Sequence, residues 1–301
     1  MTTAEWDAMT GTQSVSTLET PSGKGAGEEN FPVGSHLIAR RLRPHVATFY
    51  AFARAIDDIA DNPDLPPAEK CRRLDAFAAA VSGRSDAPVI PKAFAMRRSL
   101  QETGVPVRHC LDLISAFKQD AVKNRYESWA ELIDYCDRSA APVGRYLLDL
   151  HGESRDLWPA SDALCNSLQV INHLQDCGDD YRRLDRVYLP QQWLREAGAD
   201  VTMLGEPSAR APLLAVIRRC AAGAAALNAT AEALPLGLRS WRLSAESAVI
   251  LAIAKRLTAE LARRDPLAER VELSRVGFMR TGFSGLVWLL IRRPRARGKE
   301  T

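Results

Sequence analysis

Residues 50–61 read YAFARAIDDIAD, and residues 169–180 read QVINHLQDCGDD. Each stretch places two aspartates four positions apart: Asp57 with Asp61, and Asp176 with Asp180. On an α-helix this spacing stacks two side chains on one face, with Cβ atoms about 5–6 Å apart. Carboxylates so placed repel each other unless a cation compensates them. Magnesium suits that role, because it binds a few carboxylates and completes its shell with waters and phosphate oxygens. The two stretches therefore predict acidic helix faces on either side of a diphosphate-binding site.

The sequence around both acidic clusters is apolar. Phe49, Phe52 and Ile56 precede the first cluster, and residues 168–174 before the second are mostly apolar. A single acidic cluster of this kind is typical of a solvated helix face. Two matching clusters in apolar surroundings favour a functional site, since buried acidic groups are costly unless they are paired or metal-bound.

Helical spacing of apolar residues continues along the chain after residue 28, and proline marks several boundaries. Pro44 opens the run that carries the first cluster, and Asn62-Pro63 ends it. Ser128 with Glu131 forms a capping box. The predicted helices are 44–61, 67–81, 92–103, 107–122, 128–150, 161–181, 212–233 and 245–264. No strand pattern, glycine-rich phosphate loop or dinucleotide fingerprint is present, so the sequence predicts a single all-α domain.

Composition divides the chain into three parts. Residues 1–28 are rich in Thr, Ser, Gly and Glu and are predicted to be a disordered leader. Residues 29–282 form the predicted catalytic domain. Residues 283–301 join a short apolar stretch to a basic tail, and residues 292–301 carry five basic groups and one glutamate. No apolar run approaches the roughly 20 residues that span a bilayer. An interfacial anchor on anionic lipid and a final core helix with a solvated tail both remain open for this segment.

Charge and cysteine content exclude other classes. The 40 basic and 37 acidic residues nearly balance, which argues against a nucleic-acid surface spread over the protein. The six cysteines are scattered without CxxC pairs, which favours free thiols in a reducing cytoplasm. The sequence thus predicts a cytoplasmic protein, with a peripheral position on the inner face of the membrane as an option.

The two acidic stretches, together with Arg186-Val-Tyr188-Leu-Pro190, resemble the squalene and phytoene synthase family. Its paired motifs have the forms YAFCRxxDDxxD and QxxNxxRDxxED followed by RxYLP. The resemblance spans roughly residues 29–274. It implies an all-α isoprenoid synthase bundle with a central apolar cavity and a Mg²⁺-dependent reaction of an isoprenoid diphosphate.

The resemblance also implies roles for individual residues. The catalytic, metal-holding carboxylates would be Asp57, Asp61, Asp176 and Asp180. Further candidate metal ligands are Asp58, Asp179 and Asn172. The candidates for binding substrate or diphosphate are Tyr50, Arg54, Gln169, Asn172, Arg186 and Tyr188.

Two departures from the family pattern indicate a particular branch. Asp137 stands where a tyrosine associated with condensation of two prenyl diphosphates is expected, and Pro142 lies in the same predicted helix. Gln175 replaces the usual arginine of the second motif. Together with Glu29-Asn-Phe-Pro32, these features are most similar to the branch that takes presqualene diphosphate, releases diphosphate and lets water capture the cation. Asp137 and His173 are candidates for positioning that water, although His173 suits a packing role better.

The resemblance implies a partner reaction, the synthesis of presqualene diphosphate that would supply the substrate. Two other interpretations remain. The chain could instead condense prenyl diphosphates head to head, giving presqualene diphosphate or phytoene. A helical lipid-binding scaffold without catalytic activity is the non-enzymatic alternative.

Overall fold

A computed structural model describes residues 38–84 and 90–293, and within these ranges the chain forms helices and no β-strand. The helices are α1 Arg43–Ala60, α2 Pro67–Ser82, α3 Pro91–Thr103, α4 Arg108–Asp120, α5 Trp129–Ser139, α6 Ala141–His151, α7 Trp158–Gln175, α8 Cys177–Leu184, α9 Gln191–Ala197, α10 Ala211–Thr230, α11 Ala233–Gly237, α12 Trp241–Leu261 and α13 Arg275–Arg292. Short 3₁₀ turns at Arg155–Leu157 and Val201–Gly205 join some of them. The predicted all-α class is confirmed.

Helix α1 begins and ends where its prolines predict. Pro44 occupies the first turn, where no intrahelical donor is required. The backbone N–H of Asp61 makes the last helical bond, to the Asp57 carbonyl, before Asn62-Pro63 turns the chain. The predicted cap of α5 is also present, since the Ser128 hydroxyl accepts from the Glu131 N–H.

Three predicted helices are divided in the structure. The run 128–150 breaks at Ala140, because Pro142 lacks the N–H that a continuous helix requires and instead lies in the first turn of α6. The run 161–181 breaks at Asp176, which ends α7 and precedes α8. The run 212–233 breaks after Thr230 and resumes as α11.

Two hydrophobic cores meet at a cavity. Helices α1 to α4 and α6 enclose one core, around Phe52, Phe77 and Tyr146. Helices α5, α7, α10 and α12 enclose the other, around Tyr135 and Ile217. The cavity lies where these cores join, lined by side chains of α1, α6, α7 and α12 among others.

Helix α13 packs on α12 and α11 and runs without interruption across residue 283, where the apolar stretch was predicted to begin. The structure therefore shows no break at 282/283. The predicted leader 1–28, the segment Glu29–Pro32 and tail residues 294–301 lie outside the described residues.

One stretch in the described ranges, Ala211–Gly237, which contains α10 and α11, is apolar and long enough to cross a membrane by length and composition alone. Core helices of soluble proteins pass the same test, and α10 packs against α7 and α12.

Candidate active site

The cavity has a volume of about 290 Å³ and mostly apolar walls. Its polar lining includes five residues predicted for the site: Tyr50, Arg54, Asp57, Gln169 and Asn172. The first three come from α1 and the last two from α7, so the structure brings both motif helices to one cavity as the resemblance implies.

In the first acidic cluster, one arginine compensates two carboxylates. Arg54 Nη1 lies 3.2 Å from Asp57 Oδ2, and Arg54 Nε lies 3.0 Å from Asp58 Oδ1. Asp58 is buried behind the cavity wall rather than on it. Burial, reinforced by the nearby Asp61 carboxylate, still raises the pKa of Asp57 well above its usual range, although Arg54 opposes this shift.

The second acidic cluster lies at the break between α7 and α8. The Asp180 N–H donates to the Asp176 carbonyl at 2.8 Å, so the two residues remain one helical turn apart despite the break. Asp176 is exposed and Asp180 half-buried. Asp179 points to solvent and pairs with Arg182 at 2.5 Å. Asp179 is thus engaged with a surface arginine and does not line the cavity, unlike Asn172.

Arg186 connects the two clusters. Its backbone N–H donates to the Asp180 carbonyl at 3.2 Å. Its side chain, 7% exposed, lies with Nη1 2.5 Å from Asp61 Oδ1 and donates through Nη2 to the Ala60 carbonyl at 2.9 Å. Burial alone would lower the pKa of Arg186, but Tyr188, Asp61 and a third carboxylate raise it overall. A permanent positive charge therefore lies between the acidic helix ends.

That third carboxylate is Asp120, which sequence reasoning missed. It is buried at the end of α4 and accepts hydrogen bonds from the Tyr135 hydroxyl at 2.6 Å and the Tyr188 hydroxyl at 3.3 Å. Burial raises its pKa to about 7, while Arg186 and the Tyr135 bond oppose the rise. A signal was present in the sequence, because Asp120 follows Leu113 and Phe117 on the apolar face of the helix.

Lys70 was also missed. Its Nζ donates to the Ala60 carbonyl at 2.8 Å, the same oxygen that Arg186 contacts. Two cations at the C-terminal end of α1 complement the negative end of the helix dipole. Burial, and then Arg186, lowers the pKa of Lys70.

The two candidates for positioning water do not line the cavity. Asp137 accepts a hydrogen bond from Asn166 Nδ2 at 2.6 Å, between α5 and α7. The His173 ring is buried and stacks on Tyr188, with 3.5 Å between ring centroids. Burial, with a smaller contribution from Arg186, lowers the pKa of His173 to about 3, so the ring is neutral. The packing role considered for His173 is the one that the structure supports.

The donor chemistry of the site fits a magnesium ion. Across residues 38–84 and 90–293, no three His, Cys, Asp or Glu side chains lie close enough to hold a metal by themselves. Magnesium does not require such a cage, since it keeps several waters and binds through one or two carboxylates and substrate phosphates. The Asp57 carboxyl, whose raised pKa reflects negative charge and burial that Arg54 only partly offsets, is the strongest candidate ligand.

Comparison with known proteins identifies the class. A profile of the squalene/phytoene synthase family matches residues 25–277, and the chain belongs to this family. The family resemblance inferred from the motifs is confirmed. Isoprenoid diphosphate synthases of this kind generally use divalent metal ions.

Three relatives at 44–45% identity carry one name, hydroxysqualene synthase. The protein from Rhodopseudomonas palustris is 45% identical, with the match covering 94% of this chain and 96% of the relative. The protein from Sinorhizobium fredii is 44% identical, over 90% of this chain and 92% of the relative. A phytoene synthase from Cereibacter sphaeroides is 30% identical over 71% of this chain and 64% of the relative.

Solved structures show the same fold. A squalene synthase from Alicyclobacillus acidocaldarius superposes with a TM-score of 0.66 and 30% identity, covering 79% of this chain and 90% of that one. A dehydrosqualene synthase gives a TM-score of 0.71 at 21% identity, with coverage of 84% and 88%. The all-helical isoprenoid synthase fold, expected from the motifs, is confirmed.

Proposed function

We propose that this protein converts presqualene diphosphate and water to hydroxysqualene and diphosphate, in a Mg²⁺-dependent reaction. The observation that carries the proposal is the 44–45% identity to hydroxysqualene synthases over most of both chains. The site supports the release of diphosphate, because Arg54 and Asp57 lie in the wall of an apolar cavity and Arg186 pairs with Asp61 after the end of the same helix.

The residues that would hold magnesium are the carboxylates of both motifs: Asp57, Asp61, Asp176 and Asp180, with Asn172 as an amide ligand. When bound, magnesium would neutralise charge that develops on the departing diphosphate. Asp58, Asp61 and Asp179 are each paired with an arginine, so metal binding by any of them would require that contact to weaken.

Arginine side chains would bind the diphosphate. Arg54 lines the cavity beside Asp57, and charge-assisted hydrogen bonds from its guanidinium group would stabilise the departing oxygens. Arg186 carries a fixed positive charge between the clusters, and Tyr188, stacked on His173, keeps this segment in place. Tyr50 and Gln169 would contact the substrate from the cavity wall.

The apolar walls would protect the cation. The C–O bond to diphosphate breaks, the cation rearranges, and water adds to carbon with loss of one proton, so no reductant is consumed. Phe49, Leu164 and Leu168 in the cavity wall would exclude all but the reacting water. Because Asp137 and His173 do not line the cavity, a direct role for either in holding that water has no geometric support.

The test is product analysis with presqualene diphosphate and Mg²⁺ in oxygen-18 water, without reductant. We expect a labelled alcohol and one diphosphate released per alcohol. An unlabelled hydrocarbon, or a strict requirement for a nicotinamide cofactor, would refute the proposal.

Head-to-head condensation is the second candidate, favoured by the similarity to phytoene synthases and to a squalene synthase. Incubation with farnesyl diphosphate alone separates the two activities. The proposed enzyme leaves this compound unchanged, whereas a condensing enzyme converts it. Family membership leaves no support for the non-enzymatic scaffold.

The proposal includes two relations to other cell components. A separate reaction that joins two prenyl diphosphates must supply the substrate. The enzyme would be cytoplasmic, with peripheral association with the inner face of the membrane through its C-terminal segment.

A further inference from the structure

Helix α13 presents an apolar stripe to solvent. Six of the nine large apolar side chains that are exposed in the described residues belong to this one helix. They are Val276, Met279, Phe283, Val287, Leu290 and Ile291, with 38–75% of each residue exposed. Their spacing of mainly three and four positions places them on one face.

The opposite face of α13 is fixed to the protein. Gly282, Gly285 and Leu289 are its buried residues. A Cβ atom on Gly285 would lie 2.6 Å from the Ala248 carbonyl oxygen of α12, so the two helix backbones are in close contact. Helix α13 is therefore held in place with its second apolar face directed outward. A helix with two apolar faces is typically buried on both of them, whereas α12 covers only one face of α13.

The charged side chains of α13 itself all have one sign. Helix α13 carries Arg275, Arg280 and Arg292 and no acidic residue. Arg293 follows, and Arg295, Arg297 and Lys299 continue the series in the sequence, against the single acidic residue Glu300. Seven of the 27 residues from Arg275 onward are basic, in a chain whose formal net charge is only +3.

We propose that the stripe on α13 is a docking face for an anionic lipid bilayer, with α13 lying flat in the headgroup region. Apolar side chains flanked by arginines match the chemistry of that surface, where the apolar groups enter the acyl boundary and the arginines contact phosphates. A second copy of the chain fits less well, because stripe-to-stripe pairing would bring two sets of arginines together. The inference deepens the peripheral association proposed above and moves the main contact from the tail to the helix.

If the protein has the proposed function, the position of α13 would bring the cavity, and the product formed in it, close to the membrane. Leu243 and Ile250 of α12 line the cavity, whereas Ala248 of the same helix contacts α13. Helices α12 and α13 therefore lie between the cavity and the docking face. A water-insoluble product with thirty carbons would be released close to a lipid phase.

The test measures binding of the full chain to vesicles in the absence of substrate, so that its failure is independent of the proposed reaction. Vesicles of phosphatidylcholine alone are compared with vesicles that also contain phosphatidylglycerol. The variant combines Met279→Ser, Phe283→Ser and Leu290→Ser. The matched control combines Phe94→Ser and Val122→Ser, which removes exposed apolar side chains elsewhere on the surface.

We expect wild type and control to bind the anionic vesicles, and the α13 variant to bind at least about tenfold more weakly, since three apolar side chains no longer enter the bilayer. Turnover of detergent-solubilised substrate should be the same in all three proteins. Equal vesicle binding by variant and wild type, or no binding by wild type at low ionic strength, would overturn the proposal. Sedimentation that shows a wild-type dimer and a monomeric α13 variant would also overturn it, in favour of a second copy.

Discussion

Replacement of Arg186 by methionine should destabilise the protein strongly, although Arg186 lies in a loop. The substitution keeps an unbranched side chain and removes the charge. It deletes the contact with Asp61 at 2.5 Å and the hydrogen bond to the Ala60 carbonyl at 2.9 Å. That carbonyl keeps its second donor, Lys70. The main consequence is that Asp61 loses its cation while Asp120 remains buried nearby.

The size of the effect follows from the exposure of the two partners. Removing one member of a buried ion pair costs about 3–5 kcal/mol, because the other charge is left uncompensated. Arg186 is 7% exposed but Asp61 is 42% exposed and can regain water. We therefore expect the lower end, about 3 kcal/mol. For a domain of this size that corresponds to a fall in Tm of roughly 6–12 °C.

Arg182→Met is the matched control. The Arg182–Asp179 pair has the same N–O distance of 2.5 Å, but its side chains are 49% and 66% exposed. Exposed pairs contribute at most about 1 kcal/mol. Urea denaturation without metal, followed by circular dichroism, measures both variants. Equal losses of unfolding free energy in the two variants would refute the reasoning that burial, rather than distance, sets the contribution.

Three further predictions concern the site and its supports. Without metal, Asp57→Asn should be at least as stable as wild type, because burial disfavours the charged Asp57 carboxylate. With Mg²⁺, its release of pyrophosphate should fall more than about a hundredfold, which exceeds the loss typical of a residue that only supports a metal ligand. A variant with wild-type activity would remove Asp57 from the set of metal ligands. His173→Phe should retain the stacking on Tyr188 and resist acid better. The folded-state pKa of His173 is about 3 against 6.5 unfolded, so falling pH favours the unfolded chain, by about 2 kcal/mol at pH 5; urea curves at pH 7 and pH 5 that shift equally in wild type and variant would contradict this. Gly285→Ala should cost about 1–3 kcal/mol by forcing α13 away from the Ala248 carbonyl, and an unchanged Tm would show that the helices can separate freely.

The sequence predicts the helices well where a local signal ends them. Pro44 and Asn62-Pro63 delimit α1 because proline is tolerated in the first turn and cannot continue a helix. The same rule, applied at Pro142, would have ended the preceding helix near Ala140 instead of extending it to Leu150. The break at Ala140 is therefore predictable from the local sequence.

The break at Asp176 is harder to predict. Gly178 lowers helix propensity only modestly. The backbone of Asp176 hydrogen-bonds to both helices, since its N–H donates to the Asn172 carbonyl of α7 and its carbonyl accepts from the Asp180 N–H of α8. The spacing of the acidic pair survives, because the Asp180 N–H still bonds to the Asp176 carbonyl. A motif can therefore keep the one-turn spacing of its residues when the helix that was expected to carry it is interrupted.

The contacts between residues that lie far apart in the sequence could not be predicted from the spacing of residues within a motif. Asp120 and Asp61 lie far apart in the sequence, and only the fold brings Arg186 to face both of them. The resemblance to a family identified Arg186 but gave no reason for its burial. The structure supplies that reason, since the guanidinium group joins the end of α1 to the segment after α8.

Arginine side chains of the protein already neutralise several of the aspartates that were predicted to require a metal ion. The repulsion between neighbouring aspartates led us to predict a bound metal cation at both clusters. In the structure, Asp58, Asp61 and Asp179 each pair with an arginine of the same chain. The need for a cation is therefore strongest at Asp57, whose pKa stays raised even with Arg54 beside it. For Asp61 to bind a metal, its contact with Arg186 must weaken, and a bound diphosphate is a natural alternative partner for that guanidinium group. In the proposed reaction, diphosphate binding by Arg186 would therefore release Asp61, and the two acidic faces would form a complete site only when the substrate is present.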